Sequence, residues 1–129
     1  QEATGVNDRA QLADAEAVLR GRINEQWMMS GVTMWDPSHT YVDADVLIEP
    51  DVSLLPGTVL KGRCVIERGA QIGPHAFLVD SHVGEGAVVG TVEAVGAHVG
   101  EGARVSSYVV LTPGAKVGPG EVVAPFQQL

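Results

Sequence analysis

The sequence predicts a mainly β protein, a parallel β-helix built from hexapeptide repeats and preceded by one amphipathic α-helix. Three observations lead there. A large aliphatic residue returns every six positions from Val42 to Leu78, and again, after slips, from Val83 to Val89 and from Val99 to Val123. A small or modest residue stands two positions before most of these, as at Val46, Val52, Thr58, Cys64, Ala70 and Ala76. Prolines and glycines occupy one fixed phase between them. A hexapeptide period is the signature of a solenoid whose coils stack a continuous core.

The helix comes first. Residues Asp8 to about Met29 read "DRAQLADAEAVLRGRINEQWMM", with Leu12, Ala15, Leu19, Ile23 and Trp27 at steps of three and four and Val18 beside them. That spacing makes one apolar stripe, expected to pack against the chain's own β domain. Asn7 or Asp8 supplies an N-cap, and Gly31 a left-handed residue to end the helix.

The repeats follow. Taking the large aliphatic as position one of each hexad, position five lies two residues before the next position one, so both face the interior of an extended chain. The residues between them must turn a corner. Pro50, Pro56, Pro74, Pro113, Pro119 and Pro125 stand at position three, and Gly57, Gly69, Gly86, Gly102, Gly114 and Gly120 at position four. Pro then Gly suits the centre of a type II turn, whose second residue needs positive φ. Three short strands and three corners close one triangular coil. About thirteen hexads give some four coils, with an interior filled by side chains, so a ligand has to bind outside or between neighbouring prisms. The expected organisation is a residual end of a preceding domain at 1–7, a connecting helix at 8–31 and the β-helix at 32–129.

Bulk properties exclude several classes. The 129 residues carry a formal net charge of −8 with no run of Lys or Arg, which argues against nucleic acid or an anionic membrane as partner. No apolar stretch is long enough to span a bilayer. Cys64 is the single cysteine, so no internal disulfide forms and an oxidising compartment gains no support. Gln1 in place of Met is expected to lie inside a longer polypeptide.

Candidate site residues are few. "HVGEGA" occurs at His82–Ala87 and again at His98–Ala103. His82 and His98 each precede position one, so both point outward. If the segment Val95–His98 is a trimmed side, they stack one coil apart. Two outward imidazoles bind a metal where a neighbouring copy adds ligands, or serve as exposed or interface residues; the latter is the expectation, since His75 does not complete a triad with them. His39 lacks an acid or nucleophile partner in the sequence, and Cys64 at position five is a buried small residue rather than a nucleophile.

"GVND" (Gly5–Asp8), "RAQLADAE", "SGVTMWDP" (Ser30–Pro37) and "YVVLTPGA" (Tyr108–Ala115), in that order along the chain, resemble the central region of the bacterial bifunctional N-acetylglucosamine-1-phosphate uridyltransferase / glucosamine-1-phosphate N-acetyltransferase family. The resemblance implies a left-handed β-helix, an upstream nucleotidyltransferase domain, a homotrimer and a cytoplasmic place in UDP-N-acetylglucosamine synthesis for the cell envelope. It implies acetyl-CoA and UTP as substrates of the parent, with Mg²⁺ for the uridyltransferase. Asn7 matches the asparagine that helps hold the magnesium ion and the sugar nucleotide. No catalytic residue carries over: Thr112 replaces the arginine of the family's Leu-Arg-Pro-Gly, and the family's catalytic histidine lies in later coils. The chain reads as a segment or shortened relative of that enzyme, inactive alone, with a non-catalytic trimeric scaffold as the alternative.

Overall fold

A computed structural model describes the backbone of residues 4–129 and the side chains from residue 8 onward. The helix, α1, runs Thr4–Met29. Asn7 and Asp8 therefore lie inside it rather than capping it. Its far end is as expected: Gly31 adopts φ 103°, and the Val32 N–H returns to the Trp27 carbonyl at 3.0 Å.

Sixteen short strands follow, all parallel, on three faces. The first face stacks Thr33–Met34, Ser53–Leu54, Gln71–Ile72, Val88–Val89, Arg104–Val105 and Val122–Val123. The second stacks Tyr41–Val42, Val59–Lys61, Phe77–Val79, Val92–Val95 and Val109–Leu111. The third stacks Leu47–Ile48, Val65–Ile66, His82–Val83, His98–Val99 and Lys116–Val117. The molecule is a parallel β-helix of about five turns, not four. Two rungs escape the hexad count because their residues are not branched aliphatics in phase: Met34 pairs in register with Leu54, and Ala94 sits between Leu78 and Leu111.

Ala94 also corrects the expected trimming. No side of the prism is lost at the slips. The steps Leu78 to Val83, Val89 to Ala94 and Ala94 to Val99 each span five residues instead of six, so three of four consecutive corners are tightened and every face keeps its strand.

The interior is filled by one column of position-one side chains per face. Leu54, Leu60, Ile66, Ile72, Leu78 and Val83 are all essentially inaccessible to solvent, and position-five residues from Val46 to Val109 fill the spaces beside them. Burying each large aliphatic contributes about 1.5–3 kcal/mol, so this column carries most of the stability. At most position-four corners the backbone is left-handed, and not only at glycine: Gly57, Gly114 and Gly120 after proline, but also Asp51 (φ 68°), His75 (φ 54°) and Phe126 (φ 63°).

The helix meets the prism over its last turns only. Ile23 and Trp27 pack against the core. Asn24 is fully buried, and its Nδ2 donates to the carbonyls of Pro37 and Thr40, both at 2.9 Å. The Arg20 guanidinium lies 4.7 Å from the centre of the Tyr41 ring. Earlier in the helix Leu12, Val18 and Leu19 are 59%, 55% and 56% exposed. Only Ile23 and Trp27, at the end of the expected stripe, are thus partly buried, and α1 projects from the base of the prism. The described residues include no helix long and apolar enough to cross a membrane.

At the other end the chain continues onto the second face, where Gln128 bridges Val110 in parallel. The Leu129 N–H donates to the Val110 carbonyl at 2.9 Å, and Thr112 donates both its N–H and its hydroxyl to the Leu129 carbonyl at 2.8 and 2.6 Å. Glu121, which broke the small-residue rule at position five, turns outward and accepts the Gly118 N–H at 2.7 Å.

Candidate functional site

The strand register makes a column of outward side chains on the third face: Leu47, Val65, His82, His98 and Lys116. The change from apolar to basic falls at the tightened corners. His82 and His98 stack as expected, with ring centroids 4.6 Å apart and planes inclined at 26°. That spacing is set by the distance between adjacent parallel strands.

Neighbouring residues define the rest. Glu67 Oε2 meets His82 Nε2, and Glu67 is itself placed by its N–H bond to the Val83 carbonyl at 2.9 Å. Asp80, in the left-handed region at φ 50°, accepts the Arg63 N–H at 2.8 Å. This fixes the corner from which the Arg63 side chain leaves. A shallow groove of about 240 Å³ is lined by Arg63, Asp80, His82, His98 and Lys116, with Gly96 and Ala97 at its floor. Neither Arg63 nor Lys116 forms an ion pair among the described residues. His98 and the Nδ1 of His82 are likewise without hydrogen-bond partners there.

The sequence reading found no basic cluster because these four residues lie 19, 16 and 18 positions apart, about one coil each. The signal was present in the phase. His82, His98 and Lys116 all immediately precede position one, and Arg63 precedes position five.

The groove holds no nucleophile beside a base. Ser81 adjoins His82, but its hydroxyl donates to the Val79 carbonyl at 2.9 Å and accepts the Ala97 N–H at 3.1 Å. Cys64 is buried, and loss of solvation pushes its thiol pKa up, so it stays protonated. Acyl or phosphoryl chemistry through a covalent intermediate needs an exposed, activated group, and these two are neither.

The remaining candidates do not join the column. His75 occupies a left-handed corner after Pro74, with its ring over Gly57, where a β-carbon would collide with it. His39 is exposed and bonds Asp36 through Nδ1 at 2.8 Å. No three His, Cys, Asp or Glu residues converge to hold a metal among the described residues. The side chain of Asn7 lies outside the described residues, so its expected contact with magnesium and sugar nucleotide has no counterpart here.

No family model matches the chain. Among curated proteins, the Bifunctional protein GlmU of Kineococcus radiotolerans is 44% identical over 117 residues, covering 91% of this chain and 24% of that protein. The GlmU of Desulfitobacterium hafniense is 45% identical over 113 residues, covering 88% of this chain and 25% of its own length, and that of Clostridium novyi is 39% identical over 128 residues, covering 99% and 28%. The chain therefore spans about a quarter of the length of the curated relatives it matches. Among solved structures, a hexapeptide transferase family protein from Anaplasma phagocytophilum superposes with a TM-score of 0.54 at 16% identity, over 75% of this chain and 72% of the other. At that identity the likeness is one of fold.

Proposed function

Because nine-tenths of this chain is a relative of one quarter of GlmU, we propose that it serves as a segment or shortened form of the bifunctional uridyltransferase/acetyltransferase that makes UDP-N-acetylglucosamine in the cytoplasm. In this reading residues 1–7 are the end of a nucleotidyltransferase domain, 8–31 connect, and 32–129 are the first turns of the acetyltransferase β-helix. The single observation that carries the reading is the long alignment to GlmU. The fold supports it, since a filled prism supplies surfaces and spacing rather than a reaction chamber.

The chain's own residues fit neither of the parent's chemistries. Magnesium calls for several hard oxygen ligands, and Asn7 is one, with no acidic cluster among the described residues to join it. Acetyl transfer to a sugar phosphate calls for a cation where Thr112 stands, and Thr112 is engaged with the carbonyl of Leu129. The role left to this segment is structural. It sets the distance between an upstream domain and later coils, and it brings copies together as a homotrimer through outward apolar side chains such as Tyr41, Phe77 and Val110 on the second face.

The test is an exchange. Replacing the matched residues of the Kineococcus protein with this chain should leave uridylyl transfer intact and lower acetyl transfer by about a hundredfold, the order lost with one charge-assisted contact to phosphate. Thr112→Arg should restore it. A folded chimera that loses both activities and is not rescued would overturn the proposal.

A further inference from the structure

We propose that the groove on the third face is a binding site for a phosphate group, formed by Arg63, His82, His98 and Lys116. The proposal does not depend on the relationship to GlmU. In a chain of net charge −8, four of the twelve residues able to carry positive charge line one cavity of about 240 Å³. Two of them, Arg63 and Lys116, are permanent cations without ion-pair partners among the described residues. A guanidinium presents a planar fork to phosphate oxygens and an ammonium a point charge, a common pairing at phosphate sites.

The imidazoles add directed donors. Glu67 occupies Nε2 of His82 and leaves Nδ1 free, while both nitrogens of His98 are free among the described residues. A ring N–H directed into the groove donates to an anion's oxygen. Two acidic groups face the pair. Glu67 is engaged with His82, and Asp80 spends Oδ1 on the Arg63 N–H at 2.8 Å, leaving Oδ2 at the rim. Asp80 opposes the ligand. Against it stand Arg63 and Lys116, with the two imidazole edges beside them. The residues repeat at one-coil intervals, which lines them along the prism axis and suits an anion extended in that direction.

The experiment follows the imidazole proton resonances of the intact chain during titration with sulfate, and then with inorganic phosphate and glycerol 3-phosphate. His82 and His98 should shift saturably while His39 and His75 do not. Arg63→Gln and Lys116→Gln should each weaken binding about tenfold, with circular dichroism unchanged. Arg104→Gln, on the first face, should leave binding unaltered. Tighter binding of the ester assigns the groove to a phosphate ester, and equal binding assigns it to the free ion; both support the site. No saturable shift, or equal shifts in wild type and the Arg63→Gln/Lys116→Gln double variant, would overturn it.

Discussion

The two glycines of each "HVGEGA" do different work. Gly86 and Gly102 sit at φ 70° and 68° with open space where a β-carbon would go, so they serve the turn. Gly84 and Gly100 have ordinary φ, but a β-carbon on Gly84 would lie 2.7 Å from the Glu101 nitrogen, and one on Gly100 2.6 Å from the Pro119 nitrogen. These glycines let one coil's corner rest on the next. Alanine at Gly86 should cost about 1–2 kcal/mol, the usual cost of a left-handed β-carbon. At Gly84 it must displace backbone, and the loss should be larger, about 3 kcal/mol, as for an overpacked core. Urea denaturation of the two variants checks the order; equal losses would refute the distinction. The sequence showed the corner role of the second glycine through its phase. It did not show the first, because contact between coils is invisible in a one-coil repeat. Cys64 offers a second residue-scale test. Its raised pKa means that the folded state keeps the proton where the unfolded thiol has lost it. The stabilisation is therefore present below the unfolded thiol pKa of about 8.5 and declines as pH rises through the folded value. A disulfide reagent at about pH 8 should label Cys64 only as fast as the chain opens; immediate labelling of native protein would contradict its burial.

At the scale of elements, α1 is held by one buried amide and two partly buried apolar side chains. Removing the Asn24 amide strands the carbonyls of Pro37 and Thr40. Asn24→Ala should therefore cost about 2–3 kcal/mol and raise amide exchange from Arg20 to Met29. Changing Leu12 and Leu19 to Gln should alter the stability of an isolated chain by less than about 0.5 kcal/mol, since both are already in solvent. A large loss from the second pair would mean that they are buried by another copy or domain in solution. Helix periodicity announced the helix, but the stripe expected on it meets a partner surface only at Ile23 and Trp27, and nothing in a periodicity says how far along it that surface extends. The prism base is only a few strands wide, and α1 outruns it. The rung at Ala94 was missed for a related reason. Alanine elsewhere in the repeat marks position five rather than position one, and only its pairing with Leu78 and Leu111 reveals Ala94 as a rung of the core.

For the whole molecule, fold was more legible than site. Side chains at positions one and five, prolines at three and glycines at four agree on one phase, and each reports on the same coil geometry. A functional cluster on a solenoid is assembled from residues a coil apart, and the tightened corners at Val79–His82, Gly90–Thr91 and Val95–His98 shift the spacing that would expose it. Hence the stacked histidines were anticipated from the repeated "HVGEGA", while Arg63 and Lys116 joined them only in three dimensions. The same architecture underlies the functional reading. Each of the sixteen strands among the described residues holds its position-one residue against an adjacent coil's counterpart in the same sheet, Val117 against Val99 at the last rung of the third face. On the proposed reading such a prism serves as a spacer and a surface. The most direct measurement is turnover by the purified chain, assayed for acetyl transfer from acetyl-CoA to glucosamine 1-phosphate and for uridylyl transfer from UTP with Mg²⁺. The account predicts no rate above the uncatalysed background in either assay; sustained turnover in one of them, abolished by heat and proportional to chain concentration, would contradict it.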